Sequence, residues 1–289
     1  MKGKIRITWI QDFNIFGEGS GAEMNDKTMF INGLKRGIDL TLVNPESPLP
    51  KNKAIISNYT NFPFSTLNTA LDQGAVFFLH DYTFCKWRLF FPGQDKCKIC
   101  EHALKHLALF EKAKGLIFLS PLHKEVYLEQ FPSLKKMPSA IIPSAIDTSL
   151  FPVPSTCLKD AALTINTLLS FKGRANIIKY IEEHNELSFT IAGHNPDDIS
   201  IPKNAKFVGL QKYEDLPKLF AAHEYYVELP KTPQPFNRSC AEARLAGCKI
   251  ITNNLMGAAS YTEFQDRTAF KDIIDAAPKD FWSFIQEVL

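Results

Sequence analysis

Three groups of residues in this chain are of types and spacings that could do chemistry. The first is the run Gln234-Pro235-Phe236-Asn237-Arg238-Ser239-Cys240-Ala241-Glu242, which passes from residues that oppose a helix to residues that favour one. That change predicts a helix start near Asn237. Free backbone N–H groups and the positive end of the helix dipole suit an anion there, and Arg238 adds a full charge. Glu242, about one turn further in, could reach hydroxyl groups beside a bound phosphate. A capped core helix fits the same pattern. The second group is a glycine-rich turn with Gly17, Gly19 and Gly21, together with His80 at the end of the apolar run 75–79. The third is Cys97-Lys98-Ile99-Cys100, which has metal-ligand spacing; with Cys85 and His102 or His106 it could make a four-ligand structural zinc site, the other reading being free thiols.

The elements that must position these residues alternate. Residues 4–10, 39–43, 54–57 and 75–79 read as strands, and the glycine turn leads into an amphipathic stretch that stops at Lys35-Arg36-Gly37. Residues 102–114 and 121–130 read as helices around a strand at 115–120. After the prolines at 143, 152 and 154 the pattern restarts: strands at 162–169, 187–192, 205–208 and 225–229, helices at 175–184 and 213–222, then the segment 234–247 and a strand at 249–253. Such alternation predicts two consecutive α/β domains, 1–152 and 153–289, each with a parallel sheet that binds ligands at the carboxyl ends of its strands. Gly17, Gly19, Gly21 and His80 all fall at such ends.

Gly17, Gly19 and Ala22 also satisfy G-x-G-x-x-A, a dinucleotide pattern that wants an acid at the end of the second strand. Asp39, at the expected distance, instead precedes its strand, which weakens the dehydrogenase reading. A net charge of +2, with 22% charged and 45% apolar residues, describes an ordinary globular chain with no global demand for nucleic acid or an anionic membrane. Residues 1–13 lack the form of a signal peptide and no run is long enough to span a bilayer, so the expectation is a cytoplasmic protein without an integral membrane segment. Six scattered cysteines do not make a disulfide framework.

In order and spacing these residues resemble the family-4 glycosyltransferases, and the resemblance covers most of the chain. Ser20-Gly21-Ala22-Glu23 looks like the family's Gly-Gly-Ala-Glu. Gly37-Ile38-Asp39-Leu40-Thr41-Leu42-Val43 looks like its Gly-His-Glu-Val-Thr-Val-Val, and Ile141-Ile142-Pro143-Ser144-Ala145-Ile146-Asp147 with Phe151 like its interdomain link. His80-Asp81-Tyr82 with the following cysteines resembles one branch of the family. The resemblance implies the GT-B fold, two Rossmann-like domains facing a cleft. It further implies a retaining, metal-independent transferase that takes a sugar from a nucleotide-diphosphate sugar as co-substrate and requires no cofactor for catalysis.

By the same resemblance, Glu242 would hold the nucleotide ribose, Lys172 in Phe171-Lys172-Gly173 would meet the diphosphate, and His80 would face the sugar. Catalysis would thus involve His80, Lys172 and Gln234, and donor binding Gly19, Gly21, Phe236, Asn237 and Arg238 besides Lys172, Gln234 and Glu242. Two positions depart from the family. Its Glu-x7-Glu pair is here Gln234-x7-Glu242, and Thr167 stands where the family has an arginine, which Arg174 or Arg238 would have to replace. An amide bonds sugar hydroxyls but supplies no charge, so a non-catalytic nucleotide-sugar or glycan-binding relative is the alternative. The acceptor could be a saccharide, a lipid, a protein or a modified nucleic-acid base. Lys86, Arg88, Lys96, Lys98 and Lys105, with Trp87 and Phe90 among them, would suit an anionic acceptor or form an ordinary solvated surface.

Overall fold

The computed structural model describes residues 6–17, 20–90 and 100–289. They form two compact α/β units, Met1–Ala145 with Ala276–Leu289, and Ile146–Asp275. The chain therefore divides at 145/146, where the prolines predicted 152/153, and its last residues belong to the first unit. Packing gives the reason. Phe281 and Trp282, on the long helix that ends the chain, are fully buried, with Phe281 stacked on Trp9 at 5.7 Å and the Trp282 indole N–H donating to the Met29 carbonyl at 3.0 Å.

In unit 1 the order is β1 (Arg6–Ile10), α1 (Gly21–Lys35), β2 (Asp39–Val43), β3 (Lys53–Ile56), α2 (Phe64–Asp72), β4 (Ala75–Phe78), α3 (Glu101–Lys112), β5 (Gly115–Phe118), α4 (Pro121–Gln130) and β6 (Ser139–Ile141). The six strands are parallel, in the order β2-β1-β3-β4-β5-β6. β4 and β5 are buried at every residue, as strands covered on both faces must be. At the start of α1 the Ser20 N–H donates to the Glu23 carboxylate, half of a capping box. Gly33 on α1 leaves room for Trp282, whose ring would lie 2.2 Å from an added Cβ. The winding reverses between β1 and β3.

Unit 2 contains β7 (Leu158–Ile165), α5 (Arg174–Glu183), β8 (Ser188–Ala192), β9 (Ala205–Gly209), α6 (Leu216–Ala222), β10 (His223–Glu228), α7 (Arg238–Leu245) and β11 (Lys249–Thr252). Its five strands are also parallel, ordered β11-β10-β7-β8-β9, so the winding reverses between β7 and β10. Val227 packs with Ile177, Ile181, Phe189 and Ile191 in the core of this unit. The helix predicted at 213–222 opens as a 3-10 turn, Tyr213–Asp215, and becomes α-helical at Leu216. The last helix, α8 (Arg267–Val288), begins in unit 2 and ends in unit 1. Among the described residues no helix is long and apolar enough to cross a membrane.

Candidate functional site

In open parallel sheets, ligands bind outside the carboxyl ends of the strands where the winding reverses. In unit 2 that point gathers most of the residues singled out from the sequence. From β7 the chain runs through Asn166 into the 3-10 turn Ser170–Lys172 and then to Gly173. Gly173 has φ +89°, and a Cβ on it would lie 2.1 Å from the Leu229 carbonyl oxygen, so the turn sits directly on the chain leaving β10. The Asn176 amide adds a hydrogen bond to the same carbonyl at 3.2 Å. Lys172 is thereby fixed at the carboxyl end of the sheet. Among the described residues no ion pair holds its ammonium group.

The segment 234–242 is built as a loop entering a helix. The Gln234 N–H donates to the Leu255 carbonyl at 2.8 Å, and its side-chain amide donates to the Thr232 carbonyl at 3.2 Å. Phe236 is buried against Tyr261. Asn237 has φ +68° and caps α7, its side-chain oxygen accepting from the Cys240 N–H at 3.0 Å. One of the orphan N–H groups expected to face an anion is thus already used. Arg238 and Glu242, one turn apart, form an ion pair at 2.8 Å. The Tyr213 hydroxyl donates to the same Glu242 oxygen at 2.9 Å and accepts from the Arg238 guanidinium at 3.2 Å. Burial pushes the Glu242 carboxyl up, with Arg238 opposing, and pushes Tyr213 up to about 12. Tyr213 was not anticipated from the sequence.

Glu228, the last residue of β10, was missed too. It is buried, and its carboxylate accepts a hydrogen bond from the Asn166 side-chain amide. Burial raises it to about 8, against the opposing effects of Asn166 and the Lys172 charge. An acid inside the apolar run Tyr225-Tyr226-Val227-Glu228-Leu229 was the available signal. Arg174, considered as a substitute for the charge absent at Thr167, pairs instead with Asp197 and donates to the Leu168 carbonyl.

In unit 1 the reversal point between β1 and β3 brings together groups of another kind. His80, past the end of β4, bonds through Nε2 to Asp26 Oδ1 at 2.9 Å, and both side chains are buried. The Ser57 hydroxyl, beyond β3, lies 2.7 and 2.8 Å from the two Asp26 oxygens, and the Asn58 amide donates to Oδ2 at 3.2 Å. Asp26 also escaped the sequence reading, although Asn25 and Asp26 stand on the buried stripe of α1 with Met29, Phe30 and Gly33. A polar pair at core spacing was the clue. Asp81 pairs with Arg88; burial raises its carboxyl and Arg88 opposes the rise. Gly21 is the first residue of α1 and Gly17 lies in the preceding turn, while Gly19 lies outside the described residues.

Nothing among the described residues supports the zinc expectation. His102 Nε2 bonds to the Thr83 carbonyl at 3.0 Å, Cys100 caps α3 by accepting from the Ala103 N–H, and Cys85 is buried. His106 bonds to the Tyr59 hydroxyl at 2.9 Å. Among the described residues no group of three His, Cys, Asp or Glu side chains could hold a metal ion; Cys97 lies outside them.

No family model matches the sequence, and no curated protein matches it. Solved structures do share its fold. Sucrose-phosphate synthase from Thermosynechococcus elongatus superposes with a TM-score of 0.63 at 13% identity, covering 99% of this chain and 95% of that one. HepE from Anabaena in complex with UDP-glucose gives 0.59 at 14%, with 98% of each chain covered. An α-glucosyltransferase in complex with UDP gives 0.54 at 13%, covering 96% and 95%. The two parallel α/β units thus have the GT-B fold of these glycosyltransferases.

Proposed function

We propose that this chain is a retaining, metal-independent glycosyltransferase that moves a sugar from a nucleotide-diphosphate sugar to an acceptor hydroxyl. The observation that carries the reading is the position of Lys172. Its ammonium has no ion-pair partner among the described residues, and its turn is clamped onto the end of β10 where the sheet of unit 2 reverses. The complexes of HepE with UDP-glucose and of the α-glucosyltransferase with UDP support a uridine nucleotide as the donor's leaving group.

In this reading the diphosphate meets Lys172 and the capped start of α7. The bond from the anomeric carbon to the phosphate oxygen breaks, a bond to the acceptor oxygen forms on the same face, and the acceptor's proton leaves with the phosphate. Lys172 stabilises the charge that develops on that phosphate. Arg238 contributes less as a free charge, because Glu242 already neutralises it. Gln234 bonds sugar hydroxyls. His80, held by Asp26, serves the acceptor side in unit 1. A non-catalytic nucleotide-sugar binder is the second reading, favoured by Gln234 and Thr167 in place of charged residues.

Release of UDP, GDP or ADP from a panel of nucleotide sugars, with saccharide, lipid, peptide and DNA acceptors, tests the proposal. Turnover is expected with one donor class, and Lys172→Ala is expected to lower kcat/KM about 10²–10³-fold. Donor binding without turnover would select the binder, and neither binding nor turnover would defeat both readings.

A further inference from the structure

We infer that Glu228, acting through Asn166, is a positioning residue for Lys172: it anchors the lysine's turn to the end of β10 and, once ionised, competes with the donor diphosphate for the lysine's charge. The inference rests on the donor reading above and adds to it a residue that no resemblance supplied.

The geometry is a short chain of contacts. One Glu228 oxygen accepts from the Asn166 amide, and the same amide reaches back to the Lys172 carbonyl oxygen at 3.4 Å. The other oxygen, Oε2, is buried and, like Asn166 Oδ1, has no hydrogen-bond partner among the described residues. A buried carboxyl with one oxygen unmet is held at a cost, and such groups are kept where they serve a site. The Thr252 hydroxyl donates to the Glu228 carbonyl at 2.7 Å, fixing the backbone from β11. β10, braced by β11, therefore supports the turn that carries Lys172.

The groups facing Glu228 decide its charge. Lys172 from the turn favours ionisation, while burial opposes it more strongly, leaving the acid at about 8. Tyr226 on β10 and Cys240 on α7 are both pushed far up by burial and stay neutral. Glu242 on α7 is paired with Arg238. Glu228 is thus neutral at pH 7 and ionises as pH rises through about 8. Bringing a diphosphate to Lys172 favours the neutral acid, so binding above that pH must take up a proton.

Calorimetric titration of the full chain with UDP from pH 6.5 to 9.5, in two buffers of different ionisation enthalpy, tests this. The terminal phosphate of UDP titrates near pH ~6 and its uracil N3–H only toward the top of this range, so protons taken up near pH 8, between the two, belong to the protein. Wild-type affinity is expected to fall about tenfold from pH 7 to 9, with proton uptake already present near pH 8. Glu228→Gln, which keeps the oxygen that accepts from Asn166, is expected to bind with little pH dependence and no uptake. Parallel profiles for the two proteins, or no uptake by the wild type, would overturn the inference while leaving the donor reading standing. Absence of UDP binding at every pH would overturn both. The wild-type uptake is decisive even where the variant does not fold.

Discussion

Gly173→Ala is expected to destabilise unit 2 by roughly 2–5 kcal/mol and to lower donor affinity in whatever protein remains folded. Two costs add. A residue with a Cβ is strained at φ +89°, by about 1–2 kcal/mol, and the new Cβ would lie 2.1 Å from the Leu229 carbonyl oxygen, a backbone atom with no soft rotation to yield. The turn must lift off β10, and Lys172 moves with it. A displacement of about 1 Å at a positioning group costs on the order of 100-fold in rate. Gly209→Ala is the control: its φ is +73° with nothing within 4 Å of the added Cβ, so it should cost about 1–2 kcal/mol and leave the donor KM unchanged. Denaturant midpoints and donor KM values for the two variants check the contrast. Equal effects from both would show that the clamp on the Lys172 turn is unimportant.

In unit 1, Asp26→Ala is expected to cost about 3–5 kcal/mol, because it strands His80, Ser57 and Asn58, three groups that now converge on one buried carboxylate. Asp26→Asn separates stability from chemistry. The amide keeps an oxygen for Ser57 and Asn58 but turns a donor toward His80 Nε2, which now carries the hydrogen, so the imidazole must change tautomer. The expected result is a smaller loss of stability together with a fall in kcat and an unchanged donor KM, since the proposed diphosphate contacts, Lys172 and the start of α7, lie in unit 2. A fall in donor affinity with kcat intact would remove His80 from the acceptor side.

Much of the architecture is legible in the sequence because parallel strands buried on both faces are written as compact apolar runs, such as Ala75–Phe78 and Gly115–Phe118. The helix start at Asn237 is legible for a local reason: the loop-to-helix change lies within a few residues. What escapes is long-range. Asp26 acquires its meaning from Ser57 and His80, and Glu242 from Tyr213, partners brought close only by the fold. The return of the chain's end to unit 1 depends on Trp282 fitting beside Gly33, which no local pattern announces. Cys100 and His102 also satisfy nearby backbone groups, contacts that cysteine spacing does not announce. The likeness to glycosyltransferases, too, resides in fold at 11–14% identity.

The central claim is that the reversal point of unit 2 binds a nucleoside diphosphate through Lys172. Thermal unfolding of the wild type and of Lys172→Ala, with uridine, UDP, GDP and ADP in turn, tests it most directly. A ligand at 100 times its Kd adds about 2.7 kcal/mol to the folded state. One diphosphate is expected to raise the wild-type midpoint by several degrees, uridine to raise it little, and the shift to shrink in the variant. No shift with any diphosphate, or an equal shift in Lys172→Ala, would contradict the account.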